Sequence, residues 1–139
     1  MIDHVGFRVT DLAAARRFYD AAMAPLGLRV IDNTATSFLI ARSGDEPAPF
    51  IWVGTEKPSF WTPGHSTAAA PIHLAFTASS RAAVDAFHEA ALAAGGRDNG
   101  VPGPRGPAWM GYYAAYVLDP DGNNVEAGIR AAANASPAG

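Results

Sequence analysis

The two halves of the chain match one another without a gap. Laying His4 on His73 brings Phe7 onto Phe76, Phe18 onto Phe87 and Gly27 onto Gly96. A strand core position, a helix core position and a helix-stop glycine coincide, which periodicity alone rarely produces. Whatever the first half folds into, the second half must fold into as well. The repeated unit reads as β-α-β-β-β, a small curved sheet with one helix behind it. The expected fold is therefore α+β, two tandem βαβββ modules forming a cup-shaped mixed sheet with helices on the outer face. Residues 1–130 make a single domain: module one over 1–57, a crossover over 58–70 and module two over 71–130. The tail, 131–139, reads as frayed.

Alternation sets the faces of the first strand. In Ile2–Val9, His4, Gly6 and Arg8 share one face while Val5, Phe7 and Val9 share the other. The Ile72–Phe76 strand repeats the pattern, with His73 opposite the bulky residues. Thr10 or Asp11 can cap a helix whose buried stripe is Leu12, Ala15, Phe18, Tyr19, Ala22 and Met23. Pro25 and Gly27 stop it, and strands follow at Leu28–Asp32, Ser37–Ala41 and Phe50–Val53, with Ser43–Pro47 as the turn between the last two. In the second half, Ser79–Ser80 caps a helix carrying Val84, Phe87, Ala91 and Ala94 inward, and Gly95–Gly96 ends it in a left-handed cap. Asp98 to Gly111, with three prolines and four glycines, reads as irregular. Tyr112–Leu118 and Asn124–Ile129 read as a hairpin turned by Asp119-Pro120-Asp121-Gly122.

Composition removes several function classes. The chain of 139 residues has no cysteine, so disulfides, thiolate metal sites and a cysteine nucleophile are out. A net charge of -3, with Lys57 the only lysine, argues against a nucleic-acid surface. No apolar stretch approaches the roughly 20 residues of a membrane span, and no signal peptide is expected. The expectation is a cytoplasmic protein with a small-molecule partner.

Three residues suggest chemistry. The last strand places Asn124, Glu126 and Gly128 on one face and Val125, Ala127 and Ile129 on the other. If His4, His73 and Glu126 converge on one cavity, two imidazoles and a carboxylate form a divalent metal site with open positions, suited to Fe, Mn, Zn, Ni or Co. The bland alternative is a set of hydrogen-bonded strand residues, with Glu126 paired to Arg8. Trp52, Trp109, Tyr112, Tyr113 and Tyr116 can line an aromatic pocket, although alternate strand residues must point to the core. His88 reads as a boundary residue of the second helix and His65 as a loop residue.

The paired modules, the opening Asp3-His4-Val5 with Asp11-Leu12 and Phe18-Tyr19, and the ending Asp119-Pro120-Asp121-Gly122-Asn123-Asn124-Val125-Glu126 resemble the vicinal oxygen chelate superfamily. That group includes glyoxalase I, extradiol dioxygenases, and fosfomycin- and bleomycin-resistance proteins. The resemblance runs from Met1 to about Ile129. It implies metal ligands at His4, His73 and Glu126, with Glu126 also serving as a catalytic base. It further implies a substrate-binding arginine at Arg8, against the alternative of an internal ion pair with Glu126, Asp32 or Asp98. Trp52 stands where glyoxalase I has a fourth ligand, a glutamate, so the strict glyoxalase pattern is broken.

Two functions follow from this reading. One is a glyoxalase- or dioxygenase-like metal-dependent enzyme, a lyase, isomerase or dioxygenase acting on a small oxygen-rich substrate, with Arg8, Trp52, Trp109 and Tyr113 as substrate contacts. The other is a metal-independent binding or drug-sequestering protein of the bleomycin-resistance type. The resemblance also implies a homodimer, with two arrangements open: modules kept within a chain, or exchanged between chains.

Overall fold

The computed structural model describes residues 1–42, 48–64 and 71–131. The Ser43–Pro47 turn, His65 and nearly all of the tail lie outside the described residues. The first module comprises β1 (His4–Arg8), α1 (Leu12–Met23), β2 (Leu28–Thr34), β3 (Ser37–Arg42) and β4 (Phe50–Gly54). The second comprises β5 (His73–Thr77), α2 (Arg81–Ala93), β6 (Arg97–Arg105), β7 (Tyr112–Leu118) and β8 (Asn124–Arg130). The sheet orders are β1-β4-β3-β2 and β5-β8-β7-β6. In each sheet the first strand runs parallel to the last strand of its module, and the other pairs are antiparallel. The duplicated βαβββ architecture expected from the internal match is present.

Local chemistry explains the helix boundaries. The Asp11 carboxylate accepts from the Ala14 amide at the start of α1, and Ser80 Oγ accepts from the Ala83 amide at the start of α2. Each satisfies one of the N–H groups that a helix start leaves without a partner. After α1 a 3-10 turn over Ala24–Leu26 ends at Gly27, φ 72°. The residue with the same left-handed conformation after α2 is Gly95, φ 98°, one position before the Gly96 that the internal match aligned with Gly27. Gly96 answers a different need. A Cβ there would meet Val117 Cγ1 at 2.5 Å and Phe18 Cε2 at 2.7 Å, so its lack of a side chain lets the two modules close.

One core serves both modules. Phe18, Tyr19, Met23, Phe38, Ile40 and Val53 from the first pack in a single buried cluster with Val84, Phe87, Val117 and Val125 from the second. Removing a ring such as Phe18 would cost about 3–5 kcal/mol.

The stretch expected to be irregular, Asp98 to Gly111, is mostly a strand. β6 runs to Arg105 despite Pro102 and Pro104, and a 3-10 turn over Ala108–Met110 follows. β6 is an edge strand with register shifts at Asp98/Gly100 and Gly100/Gly103. An edge tolerates prolines because one row of its N–H groups has no ladder partner to lose.

Candidate functional site

Cross-strand register fixes which residues share the face turned away from the helices. In the second sheet His73 pairs with Asn124, Ala75 with Glu126, Tyr116 with Glu126, and Tyr112 with Arg130. Paired residues project to the same side, so His73, Glu126, Tyr112, Tyr116, Asn124 and Arg130 occupy one face. In the first sheet His4 pairs with Phe50, Gly6 with Trp52 and Arg8 with Gly54.

A hydrogen-bonded chain crosses the second face. His73 Nε2 lies 3.1 Å from Glu126 Oε2. The Tyr112 hydroxyl donates to Glu126 Oε1 at 2.5 Å. Asn124 Nδ2 is 2.9 Å from His73 Nδ1, and Asn99 Nδ2 donates to Asn124 Oδ1 at 3.0 Å. With the amides assigned this way, His73 accepts at Nδ1 and carries its proton on Nε2, aimed at Glu126, so that each of these contacts joins a donor to an acceptor. Glu126 is only 5% exposed, whereas the His73 side chain is half exposed. Burial, reinforced by the bond to Glu126, raises Tyr112 from its ordinary 10.0 to about 12.

The first sheet presents a different surface. His4 Nδ1 is bonded to Asp3 Oδ1 at 2.6 Å, and its ring stacks on Phe50 with centroids 4.8 Å apart. Register places Phe50 where the second sheet has Asn124, and Trp52 where it has Glu126. The Trp52 ring lies over Gly54, where an added Cβ would collide with it. Arg8 donates through Nε to the Thr55 carbonyl at 3.0 Å, donates to it again through Nη2, and sits 5.3 Å from the Trp61 ring centroid. Of the acidic partners considered for Arg8, Asp32 pairs with Arg16, Asp98 with His88 and Glu126 with His73.

Within one chain the three candidate ligands do not come together. Among the described residues no group of three or more His, Asp or Glu side chains is placed to hold a metal ion. Nor does any buried side-chain nitrogen or oxygen there lack a hydrogen-bond partner. The donor set of a single chain therefore does not fit a three-ligand metal centre: His73 and Glu126 adjoin, and His4 is elsewhere.

The aromatic residues divide by face. Tyr113 lies on the helix side, its hydroxyl donating to Asp85 Oδ1 at 2.8 Å and its ring 5.0 Å beneath the Arg81 guanidinium. Tyr112 and Tyr116, not Tyr113, share the face of Glu126, because the hairpin pairs Tyr116 with Glu126 and Tyr112 with Arg130. Trp109 sits in the 3-10 turn before β7 and is 84% exposed. Asn99, Arg105 and Arg130 were not singled out by sequence reasoning. The signal for Arg130 was available, since it keeps parity with Glu126 on β8; Asn99 and Arg105 lie in the stretch read as irregular. A cavity of about 720 Å³ opens on the apolar side beside β1 and β5, lined by Val5, Leu28, Ile51 and Phe76 among others, and neither His73 nor Glu126 borders it.

The chain matches the model of the Glyoxalase/Bleomycin resistance protein/Dioxygenase superfamily over residues 1–127, and it belongs to that family. It is similar to a glyoxalase/bleomycin resistance protein from Albidiferax ferrireducens T118, with 32% identity and a TM-score of 0.70 over 94% of this chain and 99% of that one. A glyoxalase-related enzyme from Fulvimarina pelagi shares the fold, with 20% identity and a TM-score of 0.70 over 93% of this chain and 87% of that one. No curated protein sequence matches the chain. Among the described residues no helix is long and apolar enough to cross a membrane.

Proposed function

We propose that this chain binds a small organic molecule on the face carrying His73, Glu126, Tyr112 and Tyr116, without a resident metal ion. The single observation behind this is that His73 and Glu126 bond to each other, 3.1 Å apart, while His4 takes no part. An imidazole that points its Nε2 proton at a carboxylate offers no lone pair to a cation there. The aromatic replacements at Phe50 and Trp52 argue in the same direction, since stacking surfaces stand where the second module has polar groups. Family membership supports a small-molecule ligand, with Arg8, Trp52 and Trp109 as further candidate contacts. The reading has the protein act in the cytoplasm as a homodimer. Ile2 and Val5, 62% and 41% exposed beside the apolar cavity, are surface that a second copy would cover.

A metal-dependent enzyme is the second reading, and one observation favours it. His4 and His73 hold the same register position in their sheets. A second copy laying its first module against this chain's second module would bring a His4 to the His73–Glu126 pair. His4, His73 and Glu126 would then hold a divalent ion, with Glu126 as the candidate catalytic base.

Tryptophan fluorescence separates the two. Titration with 2-naphthol in EDTA is expected to quench emission with the same affinity as in its absence, and His73→Ala is expected to weaken it. A protein purified with one equivalent of metal per chain, and inert to 2-naphthol once stripped, would overturn the first reading.

A further inference from the structure

We propose that Asp98 is a positioning residue for His73, acting through a bulge in β6 that aims Asn99 at the polar face of the second sheet. This rests on the small-molecule reading above, since it concerns how α2 holds the His73–Glu126 face ready for its ligand. The tie begins on the opposite side of the sheet, at His88 of α2, a helix packed against β6.

Strand register shows where the bulge lies. Asp98 pairs with Val117 and Gly100 with Tyr116, so consecutive residues of β7 meet residues of β6 that are two apart. Asn99 is the extra residue. Such a residue leaves the ladder, bends its strand and re-aims a side chain. At the matching place the first module is regular. The internal match sets Asp98, Asn99 and Gly100 on Arg29, Val30 and Ile31, which pair with Ala41, Ile40 and Leu39 without interruption. The bulge thus belongs to the module that carries the His73–Glu126 pair.

Two bonds to one carboxylate oxygen hold the bulge. Asp98 Oδ1 accepts from the Gly100 amide at 3.0 Å, closing a turn over Asn99, and from His88 Nε2 at 2.9 Å. The His88 side chain is only 12% exposed, so the helix presents this donor from a packed position. The His88 bond, and then the Gly100 amide, hold the Asp98 carboxyl below its ordinary value and so keep it an acceptor. Gly100 is required beside Asn99, because a Cβ there would meet Tyr116 Cδ2 at 2.6 Å.

Beyond the bulge, donors and acceptors fix the order. Asn99 Nδ2 donates to Asn124 Oδ1 at 3.0 Å, and Asn124 Nδ2 lies 2.9 Å from His73 Nδ1. An amide whose oxygen is engaged by a donor must offer its nitrogen to the ring. The ring then accepts at Nδ1 and keeps its proton on Nε2, toward Glu126. Without Asn99 in place, the Asn124 amide is free to turn over, offer its oxygen and draw the ring proton to Nδ1. Asp98 acts on His73 by preventing that turn.

The test is a long-range nitrogen–proton correlation spectrum of the full chain at about pH 8, where an ordinary imidazole is neutral. His73→Ala identifies the His73 signals, and the parent is expected to show the ring protonated on Nε2. Asn99→Ala, which removes one exposed link, and Asp98→Ala are each expected to give mixed tautomers. His88→Leu, which fills similar space without a donor, is expected to do the same. Asp98→Asn keeps Oδ1 and is expected to retain the parent pattern. Tyr19→Phe cuts a tie elsewhere in the core and is expected to leave His73 unchanged. If only the Nε2-protonated form binds, an even mixture halves the competent fraction and weakens 2-naphthol about twofold. A single Nε2 tautomer in both Asn99→Ala and Asp98→Ala, or equal mixing in Tyr19→Phe, would overturn the role of Asp98. A parent that does not bind 2-naphthol removes the small-molecule reading, while the spectra still decide the tie.

Discussion

The Tyr112 hydroxyl reaches Glu126 across Gly128, donating to Oε1 at 2.5 Å and occupying the space where a side chain on that glycine would go. Gly128→Ala is therefore expected to displace the phenol and break the bond. Overpacking of this kind costs about 1–3 kcal/mol. The variant is expected to unfold at lower urea, and its Tyr112 to titrate closer to the ordinary tyrosine value in a 295 nm absorbance titration.

The burial of Tyr112, with its bond to Glu126, makes stability fall at high pH. Tyr112 is raised from 10.0 to about 12, chiefly by burial and then by Glu126. A folded-state value above the unfolded one means that the folded protein holds the proton more tightly. This contribution is fully present below pH 10 and is lost as pH climbs through about 12. Burial pushes Tyr19 in the same direction. Urea midpoints measured from pH 9 upward are expected to fall, with a shallower fall in Tyr112→Phe.

Asp119 ties the two modules together. It is 1% exposed and accepts from the Tyr19 hydroxyl at 2.7 Å, the Asp121 and Asn123 amides, and Asn123 Nδ2. Tyr19→Phe is expected to cost about 1.5–3 kcal/mol, the range for a bond to a charged group. Asp119→Ala, which strands all four donors, is expected to cost about 3 kcal/mol or more. Equilibrium urea unfolding measures both, and equal midpoints for Asp119→Ala and the parent would contradict the assignment.

Asn124 orients His73. In the neutral ring the proton is expected on Nε2, visible in a long-range nitrogen–proton correlation spectrum. Asn124→Ala is expected to give a mixture of tautomers. A ring found protonated on Nδ1 in the parent would reverse the hydrogen-bond chain and free Nε2 for a cation.

The duplication was the most legible feature. His4, Phe7, Phe18 and their counterparts marked β1, α1, β5 and α2 because buried positions recur with fixed periods. β6 was missed because its glycines and prolines carry turn propensity that an edge position and the β7 pairing override. The faces of His73 and Glu126 followed from alternation. Tyr113 lies on the opposite face from Glu126, which the sequence did not show because face assignment in a hairpin needs the register across Asp119–Asn124 as well as parity within one strand. Convergence of His4 with His73 was not legible at all, since equivalent positions in two modules do not determine how those modules are placed. Trp52 as the counterpart of Glu126 was read from the sequence, and the matching registers of β1/β4 and β5/β8 support it.

The central claim is that the His73–Glu126 face works without a resident metal. Its most direct test is calorimetric titration of EDTA-treated, dialysed protein with zinc, manganese and nickel ions. The account expects no one-to-one binding and no change on His4→Ala. Stoichiometric binding of any of the three, lost in both His4→Ala and His73→Ala, would contradict it.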